Sequence, residues 1–137
     1  MKKLALLVAL LLPVSVYALD SKPIIVEELT KTTKSWDGSE LPSYKKGQPE
    51  ITILRITVQP NVELPWHTHP IINAGIMVKG KLTVITKSGE KHELVAGDTI
   101  VEVTGKIHRG INNGNEPAEI IVFYAGIVKT PLTIKVE

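Results

Sequence analysis

Beyond residue 18 the chain alternates short apolar runs with small polar breaks, and the spacing is that of strands rather than helices. Ile51 to Gln59 (ITILRITVQ) carries β-branched residues on both faces, which predicts a strand buried on two sides. Further apolar runs occupy 71–78, 81–87, 92–95, 98–103, 107–112, 119–125 and 132–136. Between them stand Lys79-Gly80, Ser88-Gly89, Ala96-Gly97, Gly105, Asn113-Gly114 and Thr130-Pro131. Gly and Asn supply the positive φ that tight turns need, so the pattern predicts many short strands closed into a sandwich or small barrel. Upstream, Ile24 to Leu29 (IIVEEL) predicts one more short strand, and 35–49 (SWDGSELPSYKKGQP) predicts a long loop. The expected fold class is all-β in a single domain, with an N-terminal strand and loop in 19–49 and a barrel in 50–137.

The first 18 residues follow a different pattern. Lys2 and Lys3 give a positive start, Leu4 to Leu12 is an unbroken apolar run, and Pro13 breaks any helix. Val16 and Ala18 place small residues at the third-last and last positions before a cut. This is the layout of a secretory signal peptide, cleaved after Ala18, and it predicts a periplasmic or secreted protein. The apolar run falls well short of the ~20 residues that span a bilayer, so no membrane anchor is expected.

Composition narrows the chemistry. A chain of 137 residues suits one domain, and the absence of cysteine excludes disulfides, thiolate metal sites and thiol nucleophiles. Of the 16 basic residues, 14 remain once Lys2 and Lys3 are set aside, which equals the 14 acidic ones and leaves no electrostatic footprint for nucleic acid. No G-x-S-x-G, phosphate-binding loop or dinucleotide fingerprint is present.

The remaining chemistry lies in four histidines: His67, His69, His92 and His108. In PWHTHP, His67 and His69 are two apart, so on a strand both project from one face with Cα atoms ~6.5–7 Å apart. Both imidazoles then reach a single ion at ~2.1 Å, although two polar residues on a solvated face give the same pattern. His92, between Lys91 and Glu93 in a polar hairpin, is expected in solvent, as are Glu63 and Glu102.

The surrounding residues make the pair more specific. NVELPWHTHPIINAGIMVKG resembles the first cupin motif, G-x5-H-x-H-x3,4-E-x6-G, with Asn61, His67, His69, Asn73 and Gly80 at its five positions. GDTIVEVTGKIHRGIN is similar to the second motif, G-x5-P-x-G-x2-H-x3-N, with Gly97, Val103, Gly105, His108 and Asn112. The resemblance to the cupin superfamily spans Asn61 to Asn112. It implies a jelly-roll type β-barrel, a divalent transition metal held by His67, His69 and His108, and a homodimer paired through apolar strands. The family's usual fourth ligand is a glutamate, and here Asn73 takes that position. Asn73 offers only a neutral carbonyl oxygen, a weak ligand, or a hydrogen bond to metal-bound water. Three neutral histidines leave an ion its full double charge, which favours acidic bound water and anionic substrates.

Two readings of function follow from the resemblance. One is a periplasmic metal-binding cupin with an open three-histidine site and oxygenase-like or isomerase-like chemistry on a small molecule. The other is a non-catalytic module that holds a small ligand or a metal. Fe(II) suits oxygen chemistry, whereas Zn, Ni or Mn suits hydrolysis, isomerisation or binding. By strand parity Gly75 and Met77 share the inward face of Asn73 and are expected to line the pocket. Tyr44 and Trp36, in the long early loop, are expected to fold over the barrel mouth. Trp66 and Arg109 should face away from His67 and His108 by the same alternation.

Overall fold

The computed structural model describes residues 23–137, so the leader expected over 1–18 lies outside the described residues. All regular structure there is β, and among the described residues no helix is long and apolar enough to cross a membrane. The strands are β1 (Pro49–Val58), β2 (His67–Thr68), β3 (Ile72–Lys79), β4 (Lys81–Thr86), β5 (Lys91–Val95), β6 (Thr99–Val101), β7 (His108–Ile111), β8 (Ala118–Ile127) and β9 (Ile134–Lys135). They form two antiparallel sheets, ordered β1-β8-β3-β6 and β5-β4-β7-β2-β9. This is the jelly-roll architecture expected from the turn spacing.

The turns form where the sequence permits positive φ. Asn61 has φ 60°, the left-handed conformation that replaces the motif glycine at little cost. Gly80, between β3 and β4, has φ 71°, and a Cβ there would lie 2.6 Å from the carbonyl oxygen of Pro117. Only glycine fits that crossing.

Alternation decides what each sheet buries. On β8, Ala118, Ile120, Val122 and Tyr124 point inward, and on β4 Leu82 and Val84 meet them from the opposite sheet. Met77, Ile100, Leu94, Val58 and Ile71 complete the core. Burial of such side chains contributes about 1.5–3 kcal/mol each before the entropy of ordering them is counted.

Strand β1 differs from expectation. It is an edge strand, and its second apolar face points out: Ile51 is 65% exposed and Ile53 57% exposed. The segment Ile24 to Leu29 forms no strand, because its side chains have no sheet face to bury against, and Ile24 is 92% exposed.

The early loop is anchored instead at Ser35 to Lys106. The Ser35 hydroxyl donates to the Glu102 carbonyl at 2.9 Å, and the Trp36 amide donates to the Val101 carbonyl at 2.9 Å. Trp36 packs against the core and stacks on His92 at 5.4 Å between centroids. His92 is therefore half-buried under an indole rather than free in solvent. Asp37, with its side chain buried, pairs with Lys106 and accepts hydrogen bonds from the Ser39 amide and hydroxyl.

Burial pushes the Asp37 carboxyl up, but the hydrogen bonds from Lys106 and Ser39 together outweigh this and hold it at about 2. A depressed carboxyl contributes stability that is complete above its ordinary value and is lost as pH falls through the folded one. Asp37→Asn is therefore expected to cost about 1–2 kcal/mol at neutral pH, with the gap to the native protein closing between about pH 4 and pH 2. Urea unfolding followed across that range measures it, and a gap independent of pH would assign the effect to something other than this carboxylate.

Candidate metal centre

His67 and His108 are direct cross-strand partners in the β2–β7 pair, and their side chains leave the same face of the five-stranded sheet. His69 follows two residues on, held by the Gly105 amide, which donates to the His69 carbonyl at 2.9 Å, and by a bridge to Thr104. The three rings lie 4.6–5.0 Å apart between centroids, and the three residues offer ligand nitrogens that all lie within 4.8 Å of one another. His67, His69 and His108 are 8%, 5% and 1% exposed.

The hydrogen bonds assign the tautomers. Nδ1 of His67 donates to the Pro65 carbonyl at 2.8 Å, Nδ1 of His69 to the Leu132 carbonyl at 2.8 Å, and Nδ1 of His108 to the Lys106 carbonyl at 2.9 Å. A carbonyl oxygen only accepts, so each Nδ1 carries the proton and each neutral ring turns an Nε2 lone pair toward the others. Burial lowers all three imidazoles, His69 to about 4, so the rings are neutral near pH 7. Backbone carbonyls that fix the outer nitrogen in this way are the usual support of metal-ligating histidines.

The opposite sheet supplies the other wall. Asn73 on β3 is 1% exposed and faces the cavity, and neither its Oδ1 nor its Nδ2 has a hydrogen-bond partner. Tyr124 on β8 packs edge-on to His69 at 5.6 Å between centroids, and burial pushes its phenol up. Beside Asn73 stands Glu102, at the end of β6: its amide donates to the Asn73 carbonyl at 3.1 Å. The Glu102 side chain is only 13% exposed, with Oε2 3.5 Å from Nε2 of His108. Burial pushes its carboxyl up to about 7 against the lowering influence of His67, the Val103 amide and Trp36. Glu102 was expected in solvent, and the structure places it inside. Its signal in the sequence was face parity with the inward Ile100, masked because Val101 is apolar too.

These residues enclose a cavity of about 250 Å³, otherwise walled by apolar side chains such as Val58, Leu64, Leu82 and Val122, with Thr133 and Lys135 also on its lining. The histidines and Asn73 come together as expected. The three pocket residues do not. Gly75 and Met77 face inward, but the space beside Gly75 is filled by Ile120, whose Cδ1 would lie 3.1 Å from a Cβ there. Met77 is 1% exposed and packed into the core. Tyr44 is 79% exposed and borders a separate cavity of about 420 Å³, lined with Pro42, Pro70 and Ile127, which carries none of the histidines. Glu63 is exposed and pairs with Arg109 at 2.6 Å, and Arg109 in turn covers Trp66 at 4.5 Å. Arg109 and Trp66 thus lie on the outer face, as alternation required.

The family model for the Cupin domain matches residues 54–124, over half of the chain, and the protein belongs to the cupin family. Among solved structures it is similar to the DMSP lyase DddQ of Ruegeria pomeroyi, with 16% identity over 63% of this chain and 43% of that one, at a TM-score of 0.56. It is also similar to a conserved protein with a double-stranded beta-helix domain from Klebsiella pneumoniae (20% identity, 69% and 90% of the two chains, TM-score 0.55). A third likeness is to the polyketide cyclase RemF of Streptomyces resistomycificus (17% identity, 66% and 63%, TM-score 0.55). At these identities the likeness is one of fold. The chain spans less than half the length of the DMSP lyase chain. No curated protein matches it.

Proposed function

We propose that this chain is an exported cupin that binds one divalent transition metal through His67, His69 and His108 and uses it to hold and act on a small molecule. The observation that carries the reading is the convergence of three neutral Nε2 atoms, each turned inward by an Nδ1–carbonyl hydrogen bond. Buried polar atoms without partners cost about 1–3 kcal/mol each, and here His108 Nε2, both amide atoms of Asn73 and Glu102 Oε2 face one cavity unpaired. A cation held by the histidines answers the acceptors that reach it.

A bound ion of this kind supplies a Lewis acid or, for Fe(II), an oxygen-activating centre; Zn, Ni or Mn fits isomerase-like chemistry or plain binding. The chain's own contribution is confinement. A cavity of about 250 Å³ is smaller than drug-sized pockets, so its ligand is a small molecule with few carbon atoms. Apolar walls exclude water, and Lys135 adds positive charge that favours an anionic or carbonyl-bearing ligand. Tyr124 holds a phenol proton within the same space, available for donation to a ligand oxygen. The second reading, a non-catalytic module for a small ligand or metal, is supported by the exchange of the motif glutamate for Asn73.

Export rests on the leader of Lys2, Lys3, Leu4 to Leu12 and Ala18, and pairing rests on the outer face of the four-stranded sheet. There Ile51, Ile53 and Phe123 lie side by side with exposures of 65%, 57% and 47%, beside the free edge of β1. A second copy related by a two-fold axis presents the same stripe and the same edge, which makes the surface self-complementary.

Protein purified without chelator is expected to hold close to one metal ion per chain by elemental analysis. The His67→Ala/His69→Ala variant should fall at least about tenfold, since removal of two ligands leaves no multidentate site. Equal metal in both preparations would remove the histidines from any metal site. Protein recovered from a periplasmic fraction should have the mass of a chain beginning at Leu19, and an intact leader there would end the export reading. Light scattering at micromolar concentration should give twice the chain mass, falling to one chain on Phe123→Lys; a native monomer would overturn the dimer.

A further inference from the structure

The one acid that lines this cavity, Glu102, stands on a different strand from the acidic position of the first motif. In the first motif the acid belongs at residue 73, on β3, where this chain has Asn73. The next strand, β6, pairs with β3 so that Ala74 faces Val101, and the hydrogen bond from the Glu102 amide to the Asn73 carbonyl extends that register by one residue. Residues 73 and 102 are therefore lateral neighbours, and neighbours across a ladder send their side chains to the same face, ~4.5–5.5 Å apart at Cβ. A carboxylate at 102 starts one strand over from a carboxylate at 73, and its longer side chain can span that displacement.

The local chemistry shows what that carboxylate faces. His108 spends its Nδ1 proton on the Lys106 carbonyl, so its Nε2 is an acceptor. Glu102 Oε2 lies 3.5 Å from it, and both atoms are buried without a hydrogen-bond partner. Two acceptors set against each other in a low-dielectric cavity repel, and the arrangement is relieved only by a positive charge between them. A nitrogen and an oxygen at ~2.1 Å from one tetrahedral ion stand about 3.4 Å apart, close to the separation seen here.

We infer that Glu102 is the anionic fourth ligand of the metal site, replacing from β6 the glutamate that the motif would place on β3, and that Asn73 is not needed for metal binding. The inference rests on the three-histidine reading and adds a residue to it. It also alters the electrostatics expected from the sequence: with Glu102 bound, an ion in this site carries one unit less charge than three histidines alone would leave it.

The test uses the mature protein and Mn(II) alone, an ion that favours oxygen ligands, with affinity read by calorimetry and the metal-induced rise in Tm read separately. Glu102→Gln is isosteric and is expected to weaken Mn(II) binding by about 10–100-fold and to shrink the metal-induced rise in Tm, with no fall in Tm when metal is absent. Asn73→Ala should leave the affinity within about threefold, as expected of a residue outside the ligand set. The double change Asn73→Glu/Glu102→Gln returns a carboxylate to the motif position and should recover most of the loss. Glu102→Gln binding as tightly as the native protein would mean that only a proton sits between Glu102 and His108, and would overturn the inference while leaving the histidine site standing. A native protein that binds no Mn(II), Zn(II) or Fe(II) would overturn both.

Discussion

Each of the three buried imidazoles gives its Nδ1 proton to a backbone carbonyl, of Pro65, Leu132 or Lys106, and the chemistry of the cavity follows from those three bonds. Without them the rings could turn, take up the other tautomer and satisfy one another. With them, a neutral ring has only an acceptor left to offer, and three acceptors are made to converge. The acceptors come from different distances along the chain. Pro65 and Lys106 are each two residues before the histidine they hold, so those contacts are local and form with their strands. Leu132 reaches His69 across 63 positions, so the third ligand is oriented only when the C-terminal segment docks. The Thr133 hydroxyl, 3.3 Å from the same Nδ1, belongs to that docking too. The site is completed by folding as a whole rather than assembled strand by strand.

The two sheets divide the work between them. The histidines descend from the five-stranded sheet, while Asn73, Glu102 and Tyr124 rise from the four-stranded one. Between the two groups the apolar side chains Val58, Leu82, Val84, Ile120 and Val122 keep the sheets apart and the cavity walls dry. That separation lets neutral imidazoles persist: burial disfavours the imidazolium on each ring, and no fully exposed acid reaches in to reverse it. Solvent is met on the other faces, where Arg109 pairs with Glu63 over Trp66, and Arg55 pairs with Glu119.

Much of this was legible in the sequence, for reasons that differ from residue to residue. His67 and His69 announce themselves because a spacing of two has one geometric meaning on a strand, and the turns at Asn61, Gly80 and Gly105 because positive φ selects Asn and Gly. His108 lies some 40 residues away, and only the motif resemblance linked it to the pair. Parity gave the facing of Gly75 and Met77 correctly, but a residue can face inward and still miss the cavity. Which inward space is filled depends on partners such as Ile120, on another strand and invisible to a local pattern. Strand β1 departs from its pattern for a related reason. Two apolar faces read as two-sided burial, whereas the sheet order leaves β1 at an edge with its outer face uncovered.

Glu102 is hidden in the sequence because charge is a reliable sign of exposure only where a strand has a polar face to present. In the run DTIVEVTG the neighbours Ile100, Val101 and Val103 are all apolar, and Val103 is fully buried in place of the motif proline. A single acid in such a setting marks a position where the fold tolerates a carboxylate out of water, and that tolerance needs a cause. The surrounding core supplies only part of one: the Ser35 hydroxyl and the Asn73 carbonyl bind the main chain of residue 102, and the Val103 amide and Trp36 favour its carboxylate without outweighing its burial. Burial raises that carboxyl to about 7, so its charged form is disfavoured there unless a positive partner stands beside it. The same residue, beside three neutral imidazoles and 3.5 Å from Nε2 of His108, is well placed to meet a cation held there. A buried acid among hydrophobic residues, opposite histidines whose outer nitrogens are already bound, is thus a sign of metal chemistry that survives even where the family's own acidic position has been lost.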